Sequence, residues 1–64
     1  MRIAVIGAGR MGAIRAEDLL SGGAEVNIFN RRDNVANELA KKLNCSSAEY
    51  ADLLKIDFDG YVVA

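Results

Sequence analysis

The feature that most restricts this chain is the run Arg2-Ile3-Ala4-Val5-Ile6 passing without a gap into Gly7-Ala8-Gly9-Arg10-Met11-Gly12. A short apolar, β-branched run reads as a strand buried on both faces. Glycines spaced G-x-G-x-x-G after such a strand point to a tight turn feeding directly into a helix. Ala13, Ala16, Leu19 and Leu20 then recur at helical spacing and leave Arg15, Glu17 and Asp18 for solvent. Gly22-Gly23 predicts the stop, because glycine takes the left-handed conformation at a helix end at little steric cost. Glu25-Val26-Asn27-Ile28-Phe29 reads as a second strand ending at Asn30. The stripe Val35, Ala36, Leu39, Ala40 and Leu43 predicts a second helix terminated by Asn44. The two helices are expected at about Arg10–Ser21 and Asn34–Leu43. A short third strand is expected within Cys45–Ala48, then a short helix over Glu49–Lys55 packing through Tyr50, Leu53 and Leu54. A last apolar strand is expected over Gly60–Ala64.

Alternation of this kind calls for an α/β fold with a parallel sheet and right-handed crossovers, in strand order 3-2-1-4. The expected architecture is a partial Rossmann, doubly wound sheet, β-α-β-α-β-α-β, with residues 1–64 forming one unit that stops after its fourth strand. A domain near 60 residues buries only about 60% of the surface its unfolded chain exposes, so low stability and self-association are expected. The net charge of −1 speaks against a nucleic-acid or membrane-surface partner, each of which calls for clustered positive charge. No apolar run approaches the roughly 18 residues of a membrane helix. The single cysteine, Cys45, fits a reducing cytoplasm. With no histidine present, histidine-based zinc sites and catalytic dyads are excluded within the chain.

The glycine loop predicts a dinucleotide site. Gly7 permits the turn, Gly9 lets the backbone approach a pyrophosphate, and Gly12 lets the helix pack closely on the strand. Ala8, Arg10 and Met11 complete the loop and present main-chain N–H groups at the positive end of the helix dipole. The end of the second strand bears on the choice of cofactor. NAD binders usually place an acid there for the ribose hydroxyls, whereas this chain has Asn30 followed by Arg31 and Arg32. A neutral Asn30 does not repel a 2′-phosphate, and two guanidinium groups can pair with it or stack on adenine. NADP is therefore the expected cofactor, with NAD as the alternative. The competing reading makes both arginines solvated, with Asp33 capping the helix or neutralising one of them.

No residue offers itself as a catalytic acid, base or nucleophile. Cys45 reads as a small apolar core residue, and Lys41 and Lys42 as solvated. Glu17 and Asp18 point in different directions. Asp57 and Asp59 bracket a turn at the end of the sheet away from the cofactor, and Tyr61 reads as core packing. No metal site is expected.

Four stretches carry a family resemblance. Ile6-Gly7-Ala8-Gly9-Arg10-Met11-Gly12 with Arg15-Ala16-Glu17-Asp18-Leu19, and Asn30-Arg31-Arg32 with Ala36 and Glu38-Leu39-Ala40-Lys41-Lys42-Leu43, resemble the glucose–fructose oxidoreductase, inositol dehydrogenase and MocA family. Glu49-Tyr50-Ala51-Asp52-Leu53-Leu54 and Asp57-Phe58-Asp59-Gly60-Tyr61-Val62-Val63-Ala64 resemble its approach to the fourth strand. The chain departs from that family at Arg15, where histidine is frequent, and at Asn30, where aspartate is frequent. The resemblance implies a parent oxidoreductase moving hydride between a nicotinamide cofactor and a sugar, cyclitol or related alcohol, with catalytic groups beyond Ala64 and an inactive isolated chain. Its implied partners are the dinucleotide, a small-molecule substrate and further copies of itself. Two alternatives stand beside it: a nucleotide-sensing regulatory module, and another reductase group of the pyrroline-carboxylate or β-hydroxyacid type.

Overall fold

The computed structural model describes all residues, Met1–Ala64. Strands β1 (Arg2–Ile6), β2 (Glu25–Phe29), β3 (Ser46–Ser47) and β4 (Gly60–Val63) form one sheet in the order β3-β2-β1-β4. Every pairing is parallel, with Ile3 opposite both Val26 and Gly60, Val5 opposite Ile28 and Val62, and Asn27 opposite Ser46. The expected fold class and strand order are thus observed. Helices α1 (Arg10–Ser21) and α2 (Asp33–Leu43) follow β1 and β2, and a 3₁₀ segment, η1 (Tyr50–Lys55), crosses from β3 to β4.

The core lies between the sheet and the two α-helices. Val5, Val26 and Ile28 meet Ala16 of α1 and Ala36 and Ala40 of α2, all nearly or fully buried. Small residues at the helix contacts let both helices sit close to the strands. Removing a side chain such as Val5 or Ile28 from water contributes about 1.5–3 kcal/mol. Phe29, wholly buried, packs edge-on against Phe58 with ring centroids 5.7 Å apart. Phe58 in turn meets Tyr61 at the same 5.7 Å, and the Arg2 guanidinium lies 5.5 Å from the Phe58 centroid.

Several local expectations need correction. Gly23 takes the left-handed conformation (φ 88°), but Gly22 does not (φ −83°). Asn44 ends α2 in the left-handed region as expected, with φ 57°. Asp33 is not the cap of α2: Arg32 holds the cap position and Asp33 is the first helical residue. The segment after β3 is a 3₁₀ helix rather than an α-helix, and Leu54 is 94% exposed instead of packed. Tyr61 also faces solvent, at 52% exposure, because β4 is an edge strand and nothing within the chain covers its outer part.

Candidate functional site

The order β3-β2-β1-β4 reverses direction between β2–β1 and β1–β4, so the switch point of the sheet lies at the carboxyl end of β1. In open parallel sheets, ligands bind outside the carboxyl ends of the strands at such a point. A cleft of about 330 Å³ opens there, lined by Ile6 at the end of β1 and Gly7 after it, Asn30 and Arg31 after β2, Val63 at the end of β4 and Ala64 after it, and Tyr50. Two grooves of similar size lie elsewhere, against β4 and α2, without any residue of the glycine loop except Ala8.

Gly7 is required at its position for two separate reasons. Its φ of +110° disfavours any side chain, and an added Cβ would stand 3.0 Å from the carbonyl oxygen of Ala64. Its N–H donates to the Phe29 carbonyl at 2.7 Å, which locks the turn to the end of β2. Gly12 sits in the first turn of α1, where a Cβ would overlap the Gly7 carbonyl. Glycine there is what allows α1 to dock on the turn. Gly9 differs from both. It holds the cap position of α1 in extended conformation (φ −79°), and a Cβ built on it would meet nothing within 4 Å. Open space lies over its backbone.

The first helical bond of α1 runs from the Ala13 N–H to the Gly9 carbonyl at 2.9 Å. The N–H groups of Arg10, Met11 and Gly12 therefore precede the helical ladder. No side chain caps this end and no acid stands in the first turn. A helix start of this kind receives an anion through oriented N–H groups and the dipole. The side chains of Arg10 and Met11 are exposed, so they flank that space without filling it.

Asn30 links this loop to the second strand. Its Oδ1 accepts the Ala8 N–H at 3.2 Å, and its Nδ2 donates to the Arg32 carbonyl at 3.3 Å. Arg31 and Arg32 are exposed, and neither joins an ion pair; the only pairs are Arg2–Glu25 and Asp52–Lys55. Asp33 forms no ion pair with either of them, and its Oδ1 accepts the Tyr50 N–H at 3.0 Å. Both guanidinium groups remain available beside the cleft.

The structure thus places Gly7, Asn30 and Arg31 in the cleft lining, with Ala8, Gly9, Arg10, Met11, Gly12 and Arg32 next to it. Ile6, Val63, Ala64 and Tyr50 are not candidate site residues in the sequence, which predicts packing for Tyr50; it is instead 37% exposed and lines the cleft. Tyr50 had a usable signal, since the segment that leaves a strand of a parallel sheet stands at the ligand-binding edge. Asp59 lies at the opposite end, accepting the Arg2 N–H at 2.7 Å. Cys45 is half-buried and burial raises its thiol pKa, which suits a packing role rather than a nucleophile. No group of acidic, cysteine or histidine side chains is arranged to hold a metal ion, and no helix is long and apolar enough to cross a membrane.

A parallel sheet with a glycine loop and an open helix start at its switch point defines an NAD(P)-binding domain of Rossmann type. Within that class the family is shown by the sequence: the chain belongs to the shikimate/quinate 5-dehydrogenase family, whose model matches residues 1–58. No curated protein and no solved structure matches the chain. The family match does not support the resemblance to the glucose–fructose oxidoreductase group. That resemblance runs along essentially the whole chain, but its glycine loop and flanking helices are demanded by the fold and shared by many dehydrogenases, and the Glu49–Leu54 and Asp57–Ala64 stretches do not single out the family.

Proposed function

We propose that this chain is the cofactor-binding part of an NADP-dependent dehydrogenase acting on a ring alcohol, with NAD as a weaker cofactor. The observation that carries the reading is the pair of unpaired guanidinium groups, Arg31 and Arg32, beside a cleft whose polar clasp is the neutral Asn30. In the loop Gly7–Gly12, the main-chain N–H groups of Arg10, Met11 and Gly12 hold the pyrophosphate, the open space above Gly9 takes its oxygens, and Gly7 and Ala8, whose N–H groups are spent on Phe29 and Asn30, shape the turn. Asn30 orients the loop toward the adenosine ribose, and Arg31 and Arg32 receive the 2′-phosphate. An aspartate in place of Asn30 would repel that phosphate; asparagine accepts it. When bound, the nicotinamide supplies or takes hydride at C4.

The family's printed name favours shikimate or quinate, ring polyols that carry a carboxylate, within the broader class of sugar, cyclitol and related alcohols. None of the 64 residues offers an acid–base group for that chemistry, so the chain by itself binds cofactor without turnover. The half-buried single thiol suits a reducing cytoplasm. The test is NADP-linked oxidation of shikimate and of quinate by the protein that carries this cofactor-binding unit, run beside sugars and inositol. Oxidation of a ring alcohol with NADP⁺ in preference to NAD⁺ supports the reading; turnover with NAD⁺ alone overturns it.

A further inference from the structure

We propose that Tyr50 is the base-stacking residue of the cleft, facing the adenine of the bound dinucleotide, and that Asp33 is the positioning residue that holds it there; this rests on reading the cleft as the NADP site. Tyr50 opens η1 just after β3, on the far side of β2 from the glycine loop. Its ring would be free to drift were its backbone not fastened. The fastening is the Tyr50 N–H to Asp33 Oδ1 bond of 3.0 Å, which ties the start of η1 to the first residue of α2. Asp33 directly follows Asn30-Arg31-Arg32, so the same bond sets Tyr50 relative to the exit of β2.

The chemistry of the lining selects the ligand group. Ile6, Val63 and Ala64 supply an aliphatic floor at the ends of β1 and β4, Arg31 a planar cation, and Tyr50 an aromatic face. A flat, π-rich, weakly polar group satisfies the floor and the aromatic face, by apolar contact below and by stacking on the phenol, and leaves Arg31 to the 2′-phosphate at its edge. Tyr50 enters neither of the ring pairs, Phe29–Phe58 and Phe58–Tyr61, and keeps 37% exposure, so no aromatic side chain of the protein covers its ring.

The chain has no tryptophan and only two tyrosines, which makes a direct optical test feasible. In a Tyr61→Phe background all tyrosine emission comes from Tyr50. Saturation with NADP⁺ is expected to quench that emission, and nicotinamide mononucleotide is expected to leave it unchanged. By titration, Tyr50→Leu should weaken NADPH and NADH by the same factor, about tenfold, because the base is common to both. Tyr50→Phe and Asp33→Asn, which keep the ring and the acceptor, should bind like the parent chain; Asp33→Ala should weaken both cofactors. Full affinity in Tyr50→Leu, or emission unmoved by NADP⁺ in a chain that binds it, overturns this inference and leaves the NADP site standing. Failure of the unsubstituted chain to bind NADPH overturns the underlying reading and this inference with it.

Discussion

The Oδ1 of Asn30 accepts the main-chain N–H of Ala8 at 3.2 Å, joining the end of β2 to the middle of the glycine loop across a separation of 22 residues. The same side chain donates to the Arg32 carbonyl, so one amide sets the positions of both the loop and the arginine pair. Asn30→Ala should remove both bonds, lower stability by about 1–2 kcal/mol and weaken NADPH and NADH together. Asn30→Asp retains an acceptor for Ala8 but adds a charge beside the 2′-phosphate position. It should shift preference toward NADH, read as a fall in the ratio of NADPH to NADH affinity.

Gly9 and Gly12 should respond in opposite ways to the same methyl group. At Gly12 a Cβ collides with the Gly7 carbonyl, so Gly12→Ala should cost about 1–3 kcal/mol in urea unfolding as α1 is pushed off the turn. At Gly9 the methyl meets no protein atom, so Gly9→Ala should leave stability close to that of the parent and weaken cofactor binding. Equal loss of stability at both positions would show that the space over Gly9 is not reserved for a ligand.

These contrasts mark how far the sequence could be read. β1, α1, β2 and α2 were legible because period and glycine placement agree there: Val5, Ala16, Ile28, Ala36 and Ala40 are each where their spacing puts them. The stretch after Asn44 was less legible. β3 is only Ser46–Ser47, too short and polar to show alternation, and it exists because β2 offers its edge to Asn27↔Ser46 and Ile28↔Ser47 pairing. In η1 the apolar residues suggested an amphipathic helix, yet a 3₁₀ segment spaces its side chains differently and leaves Leu54 in solvent. The site followed the same division. Gly7, Asn30 and Arg31 are local in sequence to their strands, whereas the role of Asp33 depends on a contact with Tyr50, 17 residues away, that no local pattern encodes.

Burial raises the pKa of the Cys45 thiol, so the folded chain disfavours the thiolate. An acid whose folded pKa is raised contributes stability at pH below its unfolded value and loses that contribution as pH rises past it. Stability should therefore decline on the alkaline side. Alkylation by iodoacetamide at pH 8 should be slower in the folded chain than in denaturant, and Cys45→Ala should abolish the thiol's share of the alkaline decline.

The edge strand β4 exposes Tyr61 by 52% and Val63 by 78%, beside unpaired backbone groups. The isolated chain should self-associate with rising concentration. Replacing Val63 with lysine should reduce that association in sedimentation, without moving the register of Ile3 against Gly60.

On the proposed reading Arg31 and Arg32 take up a 2′-phosphate at the end of β2, and calorimetric titration of the chain and its Arg31→Ala/Arg32→Ala variant with NADPH and NADH is the direct test. The expected result is tighter binding of NADPH by the parent chain, a loss of about 1–3 kcal/mol for each charge-assisted contact removed, and NADH affinity nearly unchanged. Equal affinity of the parent chain for the two cofactors, or an equal loss of both in the variant, would contradict it.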